Sequence, residues 1–173
     1  MSAVNENMLV DTIDDRDNPI GVVRRGEVFQ RHANFRVVHV LVFNSNGDLL
    51  VQRLASTRIR HPGFWGSSVA GYVFAQEDYR AAANRRLSQE LGVADATLQY
   101  LGKDTMIDEG SHKFIGVFTT INDGPFRYDH EHIDQIEFMP LEAIHDRCDA
   151  GTMQFTPTFL HVLRFYEEHF KKD

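Results

Sequence analysis

The sequence predicts an α/β (α+β) fold, a mixed β-sheet covered on both faces by helices. Three observations predict it. Runs of β-branched and aromatic residues, of which FRVVHVLVFN (35–44) is the densest, recur along the chain as strands. Two other stretches, 78–91 and 155–170, carry helical end signals or helical spacing instead. Strands and helices interleave without a repeat or a linker, so residues 1–173 read as one domain. At 42% hydrophobic residues, the chain can fill a core.

Taken in order, residues 1–12 are expected to form a mobile terminus, because polar and small residues there follow no period. The alternation in MLVDTID, the turn residues Asp15 to Pro19 and the run IGVVRRGEVF then read as an N-terminal β-hairpin. FRVVHVLVFN is the central strand, and Asn46-Gly47-Asp48 turns it into LLVQRL. Pro62-Gly63 interrupts regular structure before Phe64 and Trp65, and Ser67 to Phe74 returns to strand character. A helix follows from Asp78 to Leu91: Asp78 caps it, Ala81 to Ala83 favour it, and Gly92 suits a left-handed end. Downstream come a strand pair around Thr105 to Asn122, a polar loop over 124–135, and a strand end with a short helix in IEFMPLEAIHDRCDAG. Phe159, Leu163, Tyr166 and Phe170 sit at helical spacing, which predicts a closing amphipathic helix.

Composition excludes several classes of function. A net charge of −7 argues against a broad nucleic-acid or anionic-membrane surface, while leaving room for a local basic pocket. No segment has the length and apolarity of a membrane span, and the acidic start lacks the pattern of a secretory signal. The single cysteine, Cys148, reads as a half-buried apolar filler and gives no disulfide framework, so the cytoplasm is the expected location.

The stretch Gly71 to Val93 carries the most chemistry. Gly71, five residues, Glu77, seven residues, Arg85, then Leu87, Glu90, Gly92 and Val93 resembles the Nudix box. The arginine-bearing approach, Pro62-Gly63, Phe64-Trp65 and a Ser-x-x-Gly ending at Gly71 are similar to the Nudix subgroup that includes isopentenyl diphosphate isomerases and their hydrolase relatives. The resemblance spans Val37 to Val93. It implies a Nudix α/β/α sandwich and a hydrolase of a nucleoside diphosphate or related small-molecule diphosphate compound, using Mg2+ or Mn2+. The box departs from the usual pattern at Arg86 and Gln89, where glutamates are customary, and only Glu90 of that acidic trio is present.

From the resemblance, Glu77, Arg85 and Glu90 are the expected catalytic residues of the box. Glu90 and the backbone near Gly71 are the expected metal ligands, and Glu131 of the late polar loop is the expected further ligand or base, ahead of Asp134 and Glu109. Glu77 and Arg85 read equally as a loop-to-helix ion pair. Arg53, Arg58 and Arg60 are candidates to meet a pyrophosphate, with Arg86 as a further guanidinium for a phosphate oxygen. Trp65 is a candidate to stack a base, although an aromatic beside Pro-Gly is more often a packing anchor. His39 and His161, on apolar elements, read as core or boundary residues.

Arg86 and Gln89 support a second reading, a diphosphate-binding or regulatory protein on the same scaffold. An isomerase ranks third, because the isomerases' Cys-Gly-His is Ala70-Gly71-Tyr72 here and their later pair of glutamates falls near Ser111 and Lys113. A homodimer through the hairpin is compatible with the sequence.

Overall fold

The structure, a computed structural model, describes residues 6–171. Strands β1 (Leu9–Ile13) and β2 (Pro19–Arg24) form an antiparallel hairpin, followed by a short 3-10 turn at Arg25–Glu27. β1 therefore starts inside the stretch expected to be mobile: residues 9–12 are paired with β2, whereas residues 1–5 of that stretch lie outside the described residues. The main sheet comprises β3 (Phe35–Phe43), β4 (Leu49–Leu54), β5 (Trp65–Gly66), β6 (Val69–Tyr72), β7 (Gln99–Asp108), β8 (Ser111–Ile121) and β9 (Ile133–Met139). Its path runs β5-β4-β3-β8-β7, with β6 pairing β3 and β9 pairing β4.

FRVVHVLVFN is central, as its density of apolar residues predicts. β3 pairs β8 in parallel along its whole length and β6 antiparallel over Val37 to Val40, so the sheet is mixed. Because successive side chains alternate across a strand, β3 serves two cores. Phe35, Val37 and Leu41 pack with α2 (Leu141–Ala150) and α3 (Pro157–His169) through Ile144, Phe159, Val162 and Leu163. Val38, Val40 and Val42 pack on α1 (Tyr79–Leu91) through Ala82, Ala83, Leu87 and Leu91. The result is the expected sheet between helical layers. Among the described residues, no helix is long and apolar enough to cross a membrane.

The box helix α1 has the predicted ends. The Asp78 carboxylate accepts from the Ala81 N–H at 2.7 Å, and Gly92 closes the helix at φ 69°. β7 begins at Gln99, earlier than the strand pair read from Thr105, because the register along β8 continues through a bulge between Tyr100 and Gly102. The hairpin is fixed to the sheet by Asp17. Its buried carboxylate accepts from Arg36 Nε at 2.6 Å, Lys103 Nζ at 2.7 Å and the Tyr79 hydroxyl at 2.9 Å.

Candidate active site

Loop 55–64, the turn after β2, β6 and the box helix meet around a cavity of about 310 Å³. Its wall combines apolar rings, among them Phe29, Phe35 and Tyr72, with five cationic side chains: Arg25, Arg58, Arg60, Arg86 and Lys113. The carboxylates among its described lining residues are Glu6, Glu90 and Asp108. The cations thus outnumber the acids locally in a chain of net charge −7. Such a pocket concentrates anions.

Glu90 is buried at the back of the box helix. Its Oε2 accepts from the Ala70 N–H at 3.1 Å and its Oε1 from Gln52 Nε2 at 3.2 Å. Arg86, one turn earlier, brings Nη2 to 3.4 Å from Glu90 Oε1 and 3.2 Å from the Ala70 carbonyl, while its Nη1 donates to Gln89 at 3.2 Å. Its stem crosses Gly71 so closely that a Cβ there would stand 2.3 Å from Arg86 Nε. The glycine of the box is thus needed here for close approach of a side chain, not for an unusual φ.

The other cations are held differently. Arg60 and Lys113 share Asp108, at 2.9 and 2.8 Å, and Lys113 also donates to Thr158 at 2.6 Å. Burial works against the Asp108 charge, but the Lys113 and Arg60 contacts outweigh it and hold this carboxyl below its usual range. Arg25 lies 4.4 Å over the Tyr72 ring, which itself stacks on Phe35 at 5.3 Å. The Arg58 side chain makes no hydrogen bond or ion pair among the described residues and feels only the longer-range attraction of Glu90 and Asp129. Burial lowers the pKa of both Arg25 and Arg58, and repulsion from Arg86 adds to that in each case.

The structure thus gathers Gly71, Arg58, Arg60, Arg86 and Glu90 from the expected set around one cavity and places the remainder elsewhere. Arg53 is exposed and donates to the Gly63 carbonyl at 3.3 Å. Trp65 is buried in the core and bridges to Phe155. Arg85 and Glu77 form a two-pronged pair at 2.8 and 2.9 Å, and Arg85 also donates to the Tyr72 carbonyl and covers the Phe74 ring at 3.8 Å. The Glu77 carboxylate accepts from the Phe74 N–H as well, which ties the loop to the helix. Glu77→Gln is expected to cost about 1–3 kcal/mol, because a charge-assisted fork becomes a single neutral bond beside a part-buried guanidinium. An unchanged urea midpoint would show that the pair does not hold the loop.

Four residues of the lining carried no local signal for a site. Arg25 read as part of a hairpin strand, His39 as a core residue, and Tyr72 and Lys113 only as departures from the isomerase pattern. His39 is buried, with Nδ1 2.7 Å from Ser67 Oγ, and also faces the cavity. Burial, with Lys113 and His161 adding to it, drives its pKa to about 3, so the ring is neutral.

A divalent cation needs several oxygen ligands in near-octahedral array. At Glu90 the donors do not fit one. There is a single carboxylate whose oxygens already accept two N–H groups, the neighbouring Ala70 carbonyl is taken, and a guanidinium fills the approach. Even one like-charge contact at ~4 Å costs about 4 kcal/mol at an effective dielectric near 20. A second donor set lies in the late polar loop, outside the cavity lining, where Asp129, Glu131 and His132 bring ligand atoms within 4.8 Å of one another; there the Asp129 carboxylate accepts from the Glu131 N–H and lies 2.6 Å from His132 Nδ1, while the Glu131 carboxylate is exposed. That loop is tied to the box helix by the Asp129 N–H, which donates to the Glu90 carbonyl at 3.0 Å.

A family model described as NUDIX domain matches residues 33–159. An uncharacterized Nudix hydrolase of Pseudomonas aeruginosa is 32% identical over 164 residues, covering 95% of this chain and 96% of that protein. An isopentenyl-diphosphate delta-isomerase of Photorhabdus laumondii is 32% identical over 114 residues, but this match covers only 61% of the chain and 64% of the isomerase. A crystal structure of a Deinococcus radiodurans protein superposes with a TM-score of 0.80 at 24% identity, over 91% of this chain and 99% of that one.

Proposed function

The chain belongs to the NUDIX family, and from that premise we propose that it hydrolyses a nucleoside diphosphate or related diphosphate compound in the cytoplasm. The observation that supports this reading is the ring of Arg58, Arg60, Arg86 and Lys113 around one cavity, with Arg25 beside it. Hydrolysis of a phosphoanhydride forms a bond from water oxygen to phosphorus and breaks the bond to the bridging oxygen, which leaves with the second phosphate. Negative charge grows on the leaving oxygen, and guanidinium groups fixed in a partly desolvated pocket stabilise it. The apolar rings opposite would receive the group attached to the diphosphate.

Mg2+ or Mn2+ would be held by Asp129 and Glu131, with His132 beside them, and would neutralise phosphate charge and supply an activated water. Glu131 is the residue of this set assigned to position that water or accept its proton. Glu77 and Arg85 contribute by holding the loop that carries Tyr72 and Phe74. Incubation with a panel of nucleoside diphosphate compounds and either cation is expected to release phosphate or a nucleoside monophosphate. Glu131→Gln should lower kcat by roughly 100-fold, the lower end of general-base effects.

Arg86 lying across Glu90 favours one other reading, a binding or regulatory protein. Absence of turnover across the panel, with ligand-induced thermal stabilisation retained, would select it. Little supports an isomerase: Tyr72 is committed to the Phe35 stack and Lys113 to Asp108, where that chemistry needs a histidine and a carboxyl acid.

A further inference from the structure

We infer that the cavity binds a phosphate or diphosphate anion directly through Arg58 and Arg86, without a divalent cation, the Arg86 guanidinium standing at Glu90 and the Ala70 carbonyl where a bound cation would otherwise stand. The inference rests on the reading of this cavity as the substrate site, and it concerns binding, not turnover.

Three observations carry it. First, Arg86 satisfies the groups a cation would satisfy: its Nη2 is 3.4 Å from Glu90 Oε1 and 3.2 Å from the Ala70 carbonyl. Gly71 leaves room for that stem and for nothing larger than hydrogen, since a Cβ would lie 2.3 Å from Arg86 Nε. Second, Arg86 Nε is a buried donor with no hydrogen-bond partner, on a side chain that lines the cavity. A buried donor left without an acceptor is costly; this one is closed off against Gly71, so an entering anion meets the Nη1 and Nη2 edge and reaches Nε only if the side chain turns from Gly71. Third, Arg58 faces the same cavity without an ion pair, and the two guanidinium groups repel one another. An arrangement of like charges in a half-buried pocket is relieved by the entry of an anion, and the planar donor forks of arginine match phosphoryl oxygens. Glu90 then serves as a positioning residue, holding Arg86 by one edge while Gln52 and the Ala70 N–H fix its own carboxylate.

Calorimetric titration with inorganic pyrophosphate, once in excess EDTA and once in Mg2+, tests this. The expected result is binding in EDTA with Kd within about threefold of the Mg2+ value, and a Kd raised about tenfold or more by Arg58→Gln and by Arg86→Gln, the scale of one charge-assisted bond. Arg58→Gln removes no hydrogen bond of the fold, so it keeps the test decisive even if Arg86→Gln unfolds. Gly71→Ala, which pushes Arg86 aside without removing its charge, should weaken pyrophosphate binding as Arg86→Gln does. Loss of binding in EDTA would overturn the inference, as would wild-type affinity in Arg58→Gln. The two readings fail separately. Turnover with binding abolished by EDTA sinks direct capture and keeps the hydrolase, whereas binding in EDTA without turnover of any compound does the reverse.

Discussion

Asp17→Ala is expected to lower the unfolding free energy by about 3–5 kcal/mol, the range for removing one partner of a buried charge pair. The carboxylate is buried and accepts from Arg36 of β3, Lys103 of β7 and Tyr79 at the start of α1. Removing it leaves the Arg36 guanidinium, itself mostly buried, with Asp11 at 3.9 Å as its remaining carboxylate, while its Nη2 bond to the carbonyl of residue 17 and its place over the Tyr79 ring persist. Lys103 is more exposed and adds less. Asp17 also sits at φ 66°, which aspartate and asparagine tolerate better than alanine, so part of the loss in the alanine variant is local. Asp17→Asn separates the two effects, because it keeps the backbone tolerance and removes the charge; it should retain most of the loss. Burial opposes ionisation of Asp17, but the Lys103, Arg36 and Tyr79 contacts prevail and lower its pKa from 3.8. Its stabilisation is therefore present above the ordinary carboxylate pKa and fades as pH falls through the lowered one. Urea unfolding at neutral pH measures the effect, and a loss under about 1 kcal/mol would place Asp17 among ordinary surface pairs.

Asp17 also marks where the sequence stops being readable. It lies in a turn, DRDNP, and its neighbour Asp14 behaves as a turn residue should, accepting from the Arg16 and Asn18 N–H groups. Nothing local distinguishes Asp17, whose partners are 19, 62 and 86 residues away. The box helix was legible because its determinants are local: a cap three residues from its donor and a glycine at the end. β3 was legible because burial on both faces requires a continuous apolar run. The cavity was legible only in part. Arg58, Arg86, Glu90 and Gly71 belong to recognisable motifs, whereas Arg25 and Lys113 reach it through the β1–β2 hairpin and the β3–β8 register, which no short window encodes. Trp65 shows the opposite problem. Its type suits stacking on a ligand, but register against Arg53 and the bridge to Phe155 turn it into the core.

Lowering the pH from about 6.5 to about 4.5 should destabilise the wild-type protein by roughly 2–3 kcal/mol more than a His39→Gln variant. The ring is buried on the α3 face of β3, bonded to Ser67 at 2.7 Å, and burial with repulsion from Lys113 and His161 moves its pKa from 6.5 to about 3. The unfolded chain therefore takes up a proton across this window and the folded protein does not. Each pH unit shifts the balance toward unfolding by about 1.4 kcal/mol, so stability rises with pH until the ordinary histidine pKa is passed. Asp17 and Asp108, with an ordinary value of 3.8, respond mainly below the window, and His61 and Glu77, whose ordinary values of 6.5 and 4.5 fall within it, are common to both proteins, so the difference from His39→Gln isolates His39. Glutamine can still bond Ser67 but cannot titrate. Equal pH slopes in the two proteins would show that another group is responsible, and a His39 ring resonance titrating near pH ~6.5 would show the same directly. A protonated His39 would add a cation beside Lys113; with His39 neutral, and with His61, the other histidine of the lining, held below its ordinary value by burial and Arg60, the positive charge of the site rests mainly on its arginines and lysine. Pyrophosphate affinity should therefore vary less between about pH 5.5 and 7.5 than a histidine-charged pocket would allow, once the ligand's own ionisation is taken into account.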